Sequence, residues 1–233
     1  MKIGIIGAME EELLLLKEAL DDVSVHQHGG ADFICGHYAS VEVIAVRSGI
    51  GKVLAALTTT LLIDHYQVDY VINTGSAGGI GQNLNIGDVV IANRLAYHDV
   101  DVTAFNYEKG QMAGMPLYYP ADEYLVKKAI AAANHQEMKT HEGLIVSGDQ
   151  FVHSKEEINR IMTWFPDALA NEMEGTAIAQ VAYQFKVPFV VIRAMSDVGD
   201  EEASVNFDEF IIEAGKRSAQ MTLNLIEQLA EEK

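Results

Sequence analysis

The sequence has a single cysteine, Cys35, so no internal disulfide can form, and a reducing compartment is expected. Proline is scarce, with only Pro116, Pro120, Pro166 and Pro188, and no Pro/Ser-rich linker, internal repeat or low-complexity tract divides the chain. Long apolar runs are missing too. The uncharged stretch Val53 to Ile63 would span only about 16 Å as a helix, against about 30 Å of hydrocarbon. The opening Met1 to Met9 runs straight into Glu10, Glu11 and Glu12, too soon for a signal peptide. Basic residues are few: 16 Lys and Arg against 34 acids leave a net charge of −18. That field repels nucleic-acid backbones and anionic membrane surfaces. A cytoplasmic protein with a neutral, zwitterionic or cationic small ligand is expected.

What is present is an ordinary globular composition, 49% hydrophobic and 21% charged, over a length that suits a single domain, residues 1–233. Short β-branched runs alternate with amphipathic stretches. Strands are predicted at Lys2–Ile6, Asp32–Tyr38, Val41–Arg47, Asp69–Asn73, Gly87–Ala92, Leu95–Asp101, Gly143–Ser147 and Phe189–Ala194. Helices are predicted at Met9–Leu20, Gly51–His65, Asp122–Asn134, Lys155–Trp164, Glu174–Phe185 and Phe207–Glu231. Such alternation predicts a three-layer α/β/α fold with a central mixed, mainly parallel twisted sheet.

In sheets of this kind ligands sit at the carboxyl ends of strands. That rule selects five segments: Gly7 to Glu12, Thr74 to Gly79, Ser147 to Val152, Asn171 to Glu174, and Ser196 to Asp200. The first has G-x-x-G followed by three glutamates, and a dinucleotide pyrophosphate would be repelled there. Thr74-Gly75-Ser76-Ala77-Gly78-Gly79 reads as a glycine-rich turn that lets backbone approach a ligand. Alternation along a strand would put His98 and Val100 on one face and Asp99 and Asp101 on the other, so no metal site is expected. Taken alone, Glu12 is an ordinary first-turn helix acid, Glu174 likewise, and Ser196 or Asp197 an ordinary cap or turn former. Phe151 is equally a core residue or a stacking platform. Taken together, three strand ends bring carboxylates to one rim, with Arg193 the one nearby cation.

The segments GIIGAMEEE (4–12), SGIGKVLAA (48–56), INTGSAGGI (72–80), HDVDVTAF (98–105), GLIVSGDQF (143–151), NEMEGTAIA (171–179), VPFVVIRAMSDVGD (187–200) and FDEF (207–210) resemble the 5′-methylthioadenosine/S-adenosylhomocysteine nucleosidase family of the purine-nucleoside phosphorylase superfamily. The resemblance implies a phosphorylase/hydrolase-like fold, hydrolysis of the bond between adenine N9 and ribose C1′, and no cofactor. It implies Asp197 as general acid at purine N7 and Glu12 as the base activating water, with Glu174 on the ribose hydroxyls. It places Met9 and Met173 along the ribose, Ser76 and Arg193 near the water or Asp197, and Ser196 beside them. Phe151 would stack on adenine, the Val152 backbone would read its edge, and Gly78 would border the pocket. Ile50 and Phe207 would flank the 5′-thio group, closed by Val102, Phe105 and Tyr107 of a second subunit, so a homodimer is implied.

The chemistry asks for such a set. Breaking an N-glycosidic bond builds positive charge on ribose and negative charge on the base, as in glycoside hydrolysis. The acid must be held protonated near neutral pH by burial or neighbouring carboxylates, and the base must be ionised. A phosphorylase on the same scaffold is the rival reading, but phosphate wants Arg or an amide nest rather than Glu10 to Glu12. A non-catalytic nucleoside binder is the other, and the presence of all three acids speaks against it.

Overall fold

The computed structural model describes residues 1–134, 138–198 and 203–231. The strands are β1 (Lys2–Gly7), β2 (Asp21–His28), β3 (Ala31–Tyr38), β4 (Val41–Arg47), β5 (Tyr70–Gly79), β6 (Val89–Tyr97), β7 (Tyr119–Pro120), β8 (Thr140–Ser147), β9 (Ala168–Glu172) and β10 (Phe189–Asp197). The helices are α1 (Glu10–Ala19), α2 (Lys52–Asp64), α3 (Glu123–Asn134), α4 (Lys155–Trp164), α5 (Gly175–Phe185) and α6 (Ala203–Ala230). Sheet order is β10-β6-β8-β9-β5-β1-β4-β3-β2, and β10 also pairs with β5. Strands β5, β10, β6, β8 and β9 therefore close a ring, and β1, β4, β3 and β2 extend from it. Pairing is parallel where β1 meets β4 and β5, where β5 meets β10, and along β6-β8-β9. Antiparallel contacts join β10 to β6, β5 to β9, and the β2-β3-β4 meander. Helices α1, α3 and α6 pack together on one side, α2 and α5 on the other, giving the expected three layers.

The strands that both helix layers cover read as unbroken apolar runs, because no face of them meets water. Ile3, Ile5 and Ile6 of β1 and Val190, Val191 and Ile192 of β10 are all fully buried. Helix α1 buries Leu13 and Leu16 and keeps three acids in its first turn, where the helix dipole favours them. Helix α4 begins at Ser154, whose side chain accepts the Glu157 N–H.

The structure adds three strands that the sequence reading does not predict, β2, β7 and β9, and differs from it at further segments. Strand β2 has no predicted counterpart: every residue of DDVSVHQH is exposed, and its apolar alternation is confined to Val23 and Val25. The two strands expected at 87–92 and 95–101 are one, β6, whose register shifts between Ala92 and Arg94. His98 to Asp101 fall outside it, so alternation does not order them; no His, Cys, Asp or Glu cluster suited to a metal occurs among the described residues. The Thr74–Gly79 segment is not a turn but the second half of β5, held by β10 and β9. Ser196 and Asp197 likewise belong to β10 itself, and Gly199 and Asp200 lie outside the described residues.

Candidate active site

The carboxyl ends of β1, β5, β9 and β10 converge on a cavity of about 340 Å³. Glu12, Ser76, Glu174, Ser196 and Asp197 supply its polar lining, with Gly78 in the wall. Met9, Ile50, Phe151, Val152, Met173 and Phe207 supply its apolar side. The Phe151 and Phe207 rings meet edge to face, 5.7 Å between centroids, so the start of α6 abuts the β8–α4 connection here. Ala8, Gln150, Asn171 and Glu172 also line it, and sequence reasoning gave them no role. Larger grooves exist on the surface. Yet of the five buried acids among the described residues (Glu12, Asp88, Glu172, Glu174 and Asp197), four line this cavity. Burying four carboxylates without function would be costly, so their meeting marks a site.

Each acid is held by its own local structure. Glu12, 1% exposed, sits in the first turn of α1 and accepts four hydrogen bonds. Ala8 and Met9 donate backbone N–H groups to Oε2 at 2.7 and 3.1 Å. Ser76 donates its N–H and its hydroxyl to Oε1 at 3.0 and 3.1 Å. This carboxylate cannot rotate freely, yet it remains an acceptor at the cavity wall. The strand beneath it has to be glycine: a Cβ at Gly75 would lie 2.6 Å from Glu12 Oε1 and 2.2 Å from Arg193 Nη1.

Asp197 ends β10, where the pairing with β5 shifts register between Met195 and Asp197 so that Asp197 faces Gly78. A bulge at this point turns the side chain toward the ligand space. Ser196 donates its hydroxyl to Asp197 Oδ2 at 3.0 Å, and a Cβ on Gly78 would come within 2.9 Å of Oδ1. Asp197 is 2% exposed, so the burial required of a proton-donating aspartate is present.

Glu174 stands at the N-cap of α5. Its Oε1 accepts the Gly51 N–H at 2.8 Å, which ties it to the start of α2. Burial pushes its carboxyl up to about 8, reinforced by the negative charge of Glu172, while Arg193 and the Gly51 N–H pull it the other way.

Arg193 is fully buried and lies behind the cavity rather than along it. Its Nη2 bonds Glu172 Oε2 at 2.5 Å and Asn73 Oδ1 at 2.8 Å, with Glu174 Oε2 at 3.6 Å. Glu172 in turn accepts from the backbone N–H groups of Glu174 and Gly175 at 2.9 and 2.7 Å and from the Ser147 hydroxyl. Glu172 thus neutralises the buried guanidinium and caps α5. Val102, Phe105 and Tyr107 do not line this cavity; Phe105, on a 3₁₀ turn at Thr103–Phe105, projects into solvent with 75% of its surface exposed.

The model of the phosphorylase superfamily matches residues 2–227. A 5′-methylthioadenosine/S-adenosylhomocysteine nucleosidase of Staphylococcus carnosus (strain TM300) is 51% identical over 227 residues, 97% of this chain and 100% of that one. The S-adenosylhomocysteine nucleosidase of Streptococcus pyogenes, solved with 5-methylthiotubericidin, has a TM-score of 0.96 at 50% identity, covering 98% of this chain and 97% of that one. The S. pneumoniae nucleosidase, solved with the transition-state inhibitor MT-ImmA, gives 0.95 at 51% identity over 98% and 100% of the two chains. The convergence of buried carboxylates on one cavity and the full-length match therefore place this chain in the 5′-methylthioadenosine/S-adenosylhomocysteine nucleosidase family of the phosphorylase superfamily.

Proposed function

We propose that the cavity hydrolyses the N9–C1′ bond of 5′-methylthioadenosine and S-adenosylhomocysteine, releasing adenine with methylthioribose or S-ribosylhomocysteine. The observation that carries this is the set of separately held acids around one cavity of nucleoside size. In the proposed mechanism water attacks C1′ and passes a proton to Glu12, whose four hydrogen bonds fix the position of the accepting oxygen. The bond to N9 breaks, and its electron pair moves into the purine as Asp197 delivers a proton to N7. Glu174 holds the ribose hydroxyls, and when its carboxyl is ionised that contact strengthens as the sugar becomes cationic. Phe151 stacks on the base and the Val152 backbone reads its edge. Met9, Met173, Ile50 and Phe207 suit the ribose and its poorly hydrated 5′-thioether.

Water rather than phosphate as nucleophile follows from the charge around it. A phosphate placed at Glu12 would face that carboxylate with Glu10 and Glu11 beyond, and Arg193 is already committed to Glu172. Purified protein is incubated with methylthioadenosine with and without phosphate, and adenine and sugar products are followed by chromatography. Adenine and free methylthioribose in phosphate-free buffer are expected. Strict phosphate dependence with a sugar 1-phosphate product overturns the hydrolase assignment.

A homodimer completes this reading. Ile50 is 55% exposed at the cavity edge, and Val53, Leu54 and Leu57 of α2, with Phe105 and Met112, are exposed apolar side chains in need of cover. A second copy bringing Val102, Phe105 and Tyr107 to the 5′ end would close the cavity. Light scattering across a dilution series tests the mass: a monomer at assay concentration with full activity overturns the shared pocket. No helix among the described residues is long and apolar enough to cross a membrane. With one cysteine, a cytoplasmic location is the matching proposal.

A further inference from the structure

We infer that a charged groove beside the catalytic cavity holds the zwitterionic amino-acid tail of S-adenosylhomocysteine, with Arg47 as the anchor of its carboxylate. The inference rests on the nucleosidase reading above and extends it to the part of the larger substrate that the apolar cavity leaves unmatched. Methylthioadenosine ends in a methyl group, which Met9, Ile50 and Phe207 suit. S-adenosylhomocysteine continues past the sulfur to an ammonium and a carboxylate, and neither belongs among methionine and phenylalanine side chains.

A second depression of about 660 Å³ adjoins the first, and Ala8, Met9 and Ile50 line both. Two of these three are the residues the reading puts beside the ribose and the thioether, so the groove opens where the tail would leave the cavity. Its remaining wall carries charges of both signs among the uncharged residues Gln27, Gly30, Ala31, Ser48 and Gly49. Arg47 and Lys17 line it together with Glu10, Glu11 and Asp32. Arg47 ends β4 in register with Gly7 of β1, one residue before Ala8, so its backbone is fixed at the junction. Lys17 is bound to Glu10 at 2.6 Å, which leaves Arg47 as the cation open to a ligand carboxylate and Glu11 and Asp32 as acceptors for an ammonium. Arg47 makes no side-chain hydrogen bond or ion pair among the described residues. A guanidinium offers two parallel donors to a carboxylate, the strongest arrangement available to an exposed side chain. In a chain of net charge −18, a groove of mixed sign admits a zwitterion and discriminates against a multiply charged anion.

The test compares both substrates on the intact protein and on Arg47→Gln and Arg47→Glu. For Arg47→Gln the KM for S-adenosylhomocysteine rises about tenfold, the loss of one partly exposed charge-assisted pair, with kcat unchanged. Methylthioadenosine, which ends before the groove, moves less than about twofold. Arg47→Glu raises the S-adenosylhomocysteine KM further. Added salt weakens the wild-type enzyme toward S-adenosylhomocysteine and not toward methylthioadenosine. Unchanged S-adenosylhomocysteine kinetics in both variants overturn the inference, and so does a parallel change for both substrates, which marks a structural effect. Wild-type protein inert toward methylthioadenosine brings down the nucleosidase reading itself and this inference with it, a result distinct from the other two.

Discussion

Removal of the Glu172 side chain tests how the buried charges are balanced. In Glu172→Ala the guanidinium of Arg193, fully buried, loses its 2.5 Å partner and keeps Glu174 at 3.6 Å and the more distant charge of Glu12. The N–H groups of Glu174 and Gly175 lose the acceptor that caps α5, and the Ser147 hydroxyl loses one bond. Breaking a buried pair from one side costs about 3–5 kcal/mol, because the remaining charge keeps its desolvation penalty. For a domain of this size each kcal/mol lowers Tm by about 2–4 °C, so the midpoint drops by about 6–20 °C. Glu172→Gln, which keeps an acceptor but not the charge, falls between the two proteins. Thermal unfolding followed by circular dichroism at neutral pH reads both. A Glu172→Ala midpoint within about 2 °C of wild type would show that Arg193 does not depend on Glu172, and the balance drawn above would be wrong.

The other predictions concern the individual acids and the strand beneath them. Gly75→Ala places a methyl against Arg193 Nη1 and Glu12 Oε1, and a displacement of Glu12 by about 1 Å lowers turnover by about 100-fold; near wild-type kcat removes the claim that β5 must approach so closely. Asp197→Asn keeps its affinity for a substrate analogue in calorimetry but loses about 100- to 10,000-fold in kcat, the usual worth of a general acid; retained activity reassigns the acid. Glu174 gives a pH dependence of stability. Its folded carboxyl is raised from 4.5 to about 8, so its contribution is complete below pH 4.5 and is lost as pH rises through 8. Glu174→Gln escapes that loss, so its Tm advantage over wild type grows from about pH 5 to about pH 9; parallel Tm curves contradict the raised value.

The fold was legible where burial imposed a pattern. Helix α4 spans Lys155–Trp164 as the amphipathic pattern predicts, and β1 shows as an apolar run because both its faces are covered. Legibility fails where side chains do not report burial. β2 is a strand because its backbone pairs with β3, not because its side chains pack, and the short Val23–Val25 alternation does not mark it out. Glycine misleads at Thr74–Gly79 for a related reason. A glycine-rich segment usually marks a turn, since glycine reaches conformations other residues avoid. Here the glycines are strand residues that clear space for Glu12, Arg193 and Asp197 overhead.

That same close approach explains what could be read of the site and what could not. Glu12, Glu174 and Asp197 each follow or end a strand, so a rule about strand ends finds them and the cavity gathers them. Arg193 also lies on β10, but its fully buried side chain passes Gly75 on the same side as Glu12 and meets Glu172, a residue 21 positions earlier, behind the cavity. No local spacing encodes that meeting. The resemblance set Arg193 near Asp197 or the water; in the structure it bonds Glu172, Asn73 and the Thr74 carbonyl, with Glu174 close by. The signal available in sequence was a surplus. Two glutamates flank Met173, only one is needed for ribose hydroxyls, and a buried second acid requires a cation. Arg193, the sole arginine inside an otherwise apolar strand, is the cation that requirement selects.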